Sequence, residues 1–154
     1  TSALTERLSA ARRLISAGYH VAFNIDPVLY YDGWKQDYIE LFDTLKEQFK
    51  PGEIAWMHLG LLRYIPGLAG IARQRFPGIK IFDQEFVQGP DRKYRYPKPI
   101  RDEIYAFLYE NLQDWDANMP RYSCVEKASH WRKFHPHIPE NTAQVNKQVL
   151  QRLD

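Results

Sequence analysis

The segment Tyr19-His-Val-Ala-Phe-Asn-Ile-Asp-Pro27 constrains this chain more than any other. Val21, Phe23 and Ile25 alternate with Ala22, Asn24 and Asp26, the period of two that marks a β-strand. Gly18, just before it, has no Cβ and can take the left-handed backbone that closes a preceding helix. Pro27 offers no N–H to a ladder and disfavours helical geometry at Asp26, so the spacing predicts a strand over 19–26 whose pairing stops there. In parallel α/β sheets, ligands bind beyond the carboxyl ends of the strands, which makes Asn24 and Asp26 the first candidate binding residues. Asp26 is also a residue type that closes a turn through its own side chain, so a purely structural role stands beside the functional one.

The surrounding pattern alternates helix with strand. Leu4, Leu8, Ala11 and Ile15 lie at helical spacing, with Thr1 or Ser2 placed to cap that helix. A second helix follows Asp32 as its cap, with Trp34, Tyr38, Leu41, Leu45 and Phe49 as the inner stripe, and Pro51-Gly52 breaks it. Residues 53–60 read as a strand with apolar side chains on both faces, Ile54, Trp56 and His58 against Ala55, Met57 and Leu59, which suits a buried parallel strand. A helix over 66–76 leads to a third strand over 79–87. Gly89-Pro90-Asp91 is turn chemistry, and residues 88–99 read as a hairpin or extended loop. A long helix over 100–119 turns Ile104, Phe107, Leu108, Leu112 and Trp115 inward, and a short strand over 121–126 and a helix around Trp131–Phe134 follow. The sum is an α/β chain of parallel βαβ units, forming a small open sheet or one side of a (β/α) barrel.

Composition narrows the function classes. A chain of 154 residues, 44% of them hydrophobic, can build one core. It holds no run of about eighteen apolar residues that could span a membrane. It shows no secretory pattern, and its single cysteine, Cys124, excludes an internal disulfide framework, so a reduced cytoplasmic setting is expected. The formal charge of +2 does not announce a nucleic-acid protein, but Arg92, Lys93, Arg95, Lys98 and Arg101 cluster with Tyr94 and Tyr96. Guanidinium and ammonium groups neutralise phosphates while tyrosines stack on bases; equally, such charges keep an edge hairpin soluble. His58, Glu85 and Glu126 fall late in their strands and, with Asp26, could be imagined as a metal site, but no close-spaced ligand motif supports one. His135-Pro-His137 reads as loop rather than metal site.

Taken together, Gly18 to Val28, Asp32-Gly-Trp34 with Tyr38, Ile54-Ala-Trp-Met-His-Leu-Gly60, Arg75 and Phe76-Pro77, Lys93-Tyr-Arg-Tyr96 ahead of Pro99-Ile-Arg101, and Tyr122-Ser-Cys-Val-Glu126 with Trp131 resemble the spore photoproduct lyase family of the radical S-adenosylmethionine superfamily. The resemblance covers most of residues 1–134 and is to the C-terminal half of such proteins. It implies the second half of a partial (β/α) TIM-like barrel with an inserted basic hairpin, followed by a polar, helical tail over 135–154. For the complete protein it implies repair of a thymine-dimer type lesion in DNA by a 5′-deoxyadenosyl radical, with S-adenosylmethionine and a [4Fe–4S] cluster as cofactors. Asn24 and Asp26 would border the cofactor, and Arg92, Lys93, Arg95, Tyr96 and Arg101 in the Gly89–Arg101 hairpin would meet DNA.

The chain departs from the family at three places. The Cys-x3-Cys-x2-Cys triplet that holds the cluster is absent, and one thiol cannot replace it, so this chain alone is expected to bind no cofactor and perform no radical chemistry. The turn between Gly89 and Lys93 is shorter, and Asp26 stands where the spore lyase has a small apolar residue. A half-barrel should expose an apolar concave face, lined by Val21, Phe23, Trp56 and Phe82 or their alternates, and should self-associate or bind the missing N-terminal half. Two other readings remain: a stand-alone nucleic-acid-binding module without catalysis, and a small hydrolase using Asp26, His58 and Glu85.

Overall fold

Two parallel strand pairings form the centre of the molecule. The computed structural model describes residues 2–123 together with 126, 133, 134, 144, 147, 150 and 151. In chain order the elements are α1 (Leu4–Ser16), β1 (Val21–Val28), α2 (Trp34–Gln48), β2 (Ile54–Leu61), β3 (Arg63–Tyr64), α3 (Leu68–Arg75), β4 (Val87–Gln88), β5 (Tyr94–Arg95), α4 (Lys98–Trp115) and β6 (Arg121–Ser123). β2 lies between β1 and β6, parallel to both, while β3, β5 and β4 make a separate antiparallel sheet. The α/β reading with parallel units therefore holds.

The ladder assigns the faces. Phe23 pairs with Met57 and Ile25 with Leu59, and on the other side Leu59 pairs with Ser123. Met57 and Leu59 are fully buried, in one core with Leu8 of α1, Phe42 and Leu45 of α2, and Ile104, Leu108 and Leu112 of α4. Each such side chain contributes about 1.5–3 kcal/mol of transfer free energy. In α2 the buried stripe runs through Trp34, Phe42 and Leu45, with Tyr38 and Leu41 only half-buried. The helix is entered through Gly33 at φ 87°, a left-handed conformation glycine takes without strain, and Asp32 makes no cap. Ala3 occupies the cap position of α1, and the carboxylate of Glu6 accepts its N–H at 3.1 Å.

Three expectations are corrected. Pairing does not stop at Asp26: the ladder skips Asp26-Pro27, joined by a cis peptide, and resumes with Val28 opposite Leu61. An irregularity in register absorbs the proline that cannot donate. Residues 79–86 form no parallel strand; Asp83 turns back to donate its N–H to the Lys80 carbonyl, and only Val87–Gln88 pairs, antiparallel. The alternation there comes from aromatic packing, since Phe82 and Phe86 both pack edge-on against Tyr64. Finally, Val21, Phe23, Trp56 and Phe82 do not share one face. Phe23 packs edge-on to Phe49 under the helices, Trp56 is half-buried in β2, and Phe82 is buried beneath the small sheet.

The small sheet is riveted to the main body at Tyr30. The Tyr96 hydroxyl accepts the Tyr30 N–H at 3.0 Å, and the Gln84 amide donates to the Tyr30 carbonyl. No helix among the described residues is long and apolar enough to cross a membrane.

Candidate ligand site at the strand ends

The face of the main sheet turned away from the helices carries a row of polar side chains. The register places Asn24 of β1 beside His58 of β2, and His58 beside Tyr122 of β6. Asn24 is exposed, and the other two are half-buried. The Tyr122 hydroxyl is buried without a hydrogen-bond partner among the described residues, and that burial pushes its pKa up.

Next to this row, at the carboxyl ends of β1 and β2, lies a cavity of about 270 Å³ lined by Asp26, Pro27, Gly60, Leu61, Leu62, Arg63, Arg95, Arg101, Tyr105 and Glu126. Asp26 lies over Gly60 so closely that a β-carbon on residue 60 would fall 2.5 Å from the Asp26 carboxyl carbon. Arg101 donates from Nε to Glu126 at 3.0 Å and from Nη1 to the Tyr96 carbonyl at 2.7 Å, which fixes its guanidinium at the rim. Arg63 donates to Asp91 at 3.0 Å, and Arg95 donates to the other oxygen of the same carboxylate. Partial desolvation raises the pKa of Asp91, but the Lys93 N–H and the charges of Arg95 and Arg63 outweigh it and hold the carboxyl below its usual range.

Asp26, Arg95 and Arg101, which the sequence singled out, thus meet in one cavity, with Asn24 on the adjoining sheet face. Arg92 and Lys93 lie apart from them at the hairpin turn, where Arg92 is exposed with φ 60°. Tyr96 departs from its expected place: it is fully buried, stacked on Phe86 with ring centroids 5.0 Å apart, and closed off from any base. Of Asp26, His58 and Glu85, only Asp26 lines the cavity, and Glu85 is exposed. Among the described residues, no three His, Cys, Asp or Glu side chains converge to hold a metal. Cys124, Trp131, Arg132, His135, His137 and most of the 135–154 tail lie outside the described residues.

Sequence reasoning missed Gly60, Arg63 and Tyr122. Gly60 carried a usable signal, since a glycine ending an apolar strand marks close approach by another group. Arg63, a lone arginine after a strand, carried none.

Parallel strands with polar side chains and a cavity at their carboxyl ends define an α/β protein of the class whose ligands sit at the strand termini. The family model for spore photoproduct lyase matches residues 1–122, and the chain belongs to that family. A spore photoproduct lyase of Geobacillus sp. (strain Y412MC61) is 33% identical over 125 residues, covering 76% of this chain and 36% of that relative. One of Clostridium acetobutylicum is 28% identical over 118 residues, covering 73% of this chain and 35% of the relative. The chain therefore spans little more than a third of the curated relatives it matches. Among solved structures, a cysteine-to-alanine variant of spore photoproduct lyase superposes with a TM-score of 0.71 at 23% identity, over 80% of this chain and 39% of that one. A related variant with bound S-adenosylmethionine and dinucleoside spore photoproduct gives 0.64 at 23% identity, over 80% and 38%. At that identity the superpositions establish the shared fold.

Proposed function

We propose that this chain is the C-terminal portion of a radical S-adenosylmethionine enzyme that repairs a thymine-dimer type photolesion in DNA. The observation that carries the reading is the family match over residues 1–122; Asp26 in the lining of the strand-end cavity and Asn24 on the adjoining sheet face support it. S-adenosylmethionine, when bound beside a [4Fe–4S] cluster, supplies a 5′-deoxyadenosyl radical to the lesion. The cluster does not fit this chain, which has one cysteine where three thiolates are needed, so its ligands come from another part of the complete protein. The nucleoside portion fits: the Asn24 amide can donate and accept along a base edge, and the Asp26 carboxylate can accept sugar hydroxyls.

In this reading the face bearing Asn24, His58 and Tyr122 is the inner wall of a partial (β/α) barrel, closed by the N-terminal half. Tyr122 offers a buried hydroxyl to whatever lies against that wall. Arg92, exposed at the hairpin turn, and Lys93, half-buried beside it, meet the DNA backbone, while Arg95 and Arg101 serve the cavity.

The test is the protein carrying this region together with its cluster-binding region, reconstituted with iron and sulfide and supplied with S-adenosylmethionine and a one-electron reductant. It is expected to release 5′-deoxyadenosine in proportion to lesion-containing DNA, and Asp26→Ala is expected to weaken binding of S-adenosylmethionine. Release that ignores the lesion, or unchanged binding in the variant, would overturn the assignment.

A further inference from the structure

Arg63 of β3 and Arg95 of β5 are directly opposite each other in an antiparallel ladder. Like charges at such a position repel, so the pair needs an anion between its members. Asp91 supplies it, one carboxylate oxygen to each guanidinium. The supporting shell is built for this contact. Gly89 lies against the Arg95 guanidinium so tightly that any β-carbon there would collide with it. The Arg95 Nε is buried and has no hydrogen-bond partner among the described residues, which leaves a donor to spare. Asp91 itself sits on the reversing turn between β4 and β5, closed by Arg92 N–H to Gly89 carbonyl and Gly89 N–H to Lys93 carbonyl, both at 2.9 Å. Its side chain keeps 36% of its surface exposed, so it can swing out without unpacking the core.

We propose that Arg63 and Arg95 form a seat for one phosphodiester of a nucleic-acid strand, and that Asp91 is a resident carboxylate that fills the seat until the strand displaces it. This deepens the DNA-repair reading and rests on it. The charges support an exchange rather than simple addition. Arg63, Arg95 and Arg101 balance Asp26, Glu126 and Asp91 while Asp91 is in place. When it leaves, one positive charge is uncovered, which a phosphodiester monoanion restores. Two guanidinium forks presented to one anion are the geometry that selects phosphate.

The experiment uses the whole chain, a short oligothymidylate and inorganic phosphate. Asp91→Asn keeps the shape and removes the charge. It is expected to bind oligothymidylate roughly fivefold more tightly, the scale set by two partly exposed ion pairs. Its salt dependence should steepen by about one unit. Adding Arg63→Ala should erase the gain, and Arg63→Gln in the Asp91-containing chain, which leaves the turn intact, should lower affinity. Inorganic phosphate, followed by the ¹⁵N resonance of Arg95 Nε, should shift that signal in Asp91→Asn and not in Asp91→Asn/Arg63→Ala. Where both forms bind oligothymidylate, a folded Asp91→Asn that binds it no better than the parent overturns the seat, as does an Arg95 signal that phosphate leaves unmoved. If phosphate moves the signal but neither form binds oligothymidylate, the seat stands and the nucleic-acid reading falls.

Discussion

The carboxyl group of Asp26 occupies the space that a side chain at Gly60 would need, with both its oxygens within 2.7 Å of that point. The two residues lie near the carboxyl ends of adjacent parallel strands, so the glycine is what lets the carboxylate reach over β2 into the cavity. The backbone at residue 60 is not left-handed, and alanine there is not strained by conformation. Gly60→Ala should therefore move Asp26 rather than unfold the sheet. The expected outcome is a melting temperature close to the parent's, with binding of S-adenosylmethionine by the complete protein weakened as in Asp26→Ala. A large loss of stability without loss of binding would show that the contact is only structural.

Tyr96 and the pair Arg92 and Lys93 should give opposite phenotypes, although they are close neighbours in sequence. Tyr96→Phe leaves the Tyr30 N–H without its acceptor in a half-buried setting, at a cost of about 1–3 kcal/mol. Urea denaturation should show that loss, with the salt dependence of DNA binding unchanged. Arg92→Ala/Lys93→Ala should leave stability alone and flatten the salt dependence by about one unit per lost phosphate contact. An unchanged slope would return these charges to the role of keeping an edge strand soluble.

The pattern of sequence and structure explains which elements were legible. β1 declared itself because it repeats every two residues, β2 because a short run apolar on both faces follows the Pro51-Gly52 break, and α4 because Ile104, Leu108, Leu112 and Trp115 keep one helical face buried over several turns. Residues 79–87 carry the same period without being a parallel strand, because Phe82 and Phe86 answer to the Tyr64 ring rather than to a ladder. Composition could not separate Tyr94 and Arg95 in the small sheet from Tyr96 in the core, since burial there is set by β3, a partner distant in sequence. Arg63 was invisible for the same reason: its significance comes from Arg95 and Asp91, and nothing local records them.

Acid should loosen the joint between α1 and the turn before β2. Glu53 receives both arms of the Arg12 guanidinium, at 2.7 and 2.8 Å, and the Lys50 N–H at 2.6 Å. The Arg12 hydrogen bonds, followed by that N–H, lower its pKa from 4.5 to about 2. A depressed carboxyl stabilises the fold above its unfolded value and loses that contribution as pH falls through the folded one. The stability difference between the parent and Glu53→Gln should thus be constant above about pH 5, shrink below pH 4.5 and vanish near pH 2. Denaturation midpoints across that range decide it; a difference that does not change with pH would mean that the ion pair is too well solvated to matter.

Both polar groups of the Tyr30 peptide are taken by the small sheet and its approach, the N–H by Tyr96 and the carbonyl by Gln84. Hydrogen bonds made to main-chain atoms survive a change of side chain at residue 30, so mutation there removes the edge-on packing of the Tyr30 ring on Tyr96 and not the bonds. The two hydrogen bonds to that peptide come from residues 84 and 96, on the lobe's side. Residues 63–97 can accordingly be exchanged as a cassette between scaffolds that share the same parallel strands, provided the incoming cassette brings its own amide and hydroxyl to that one peptide.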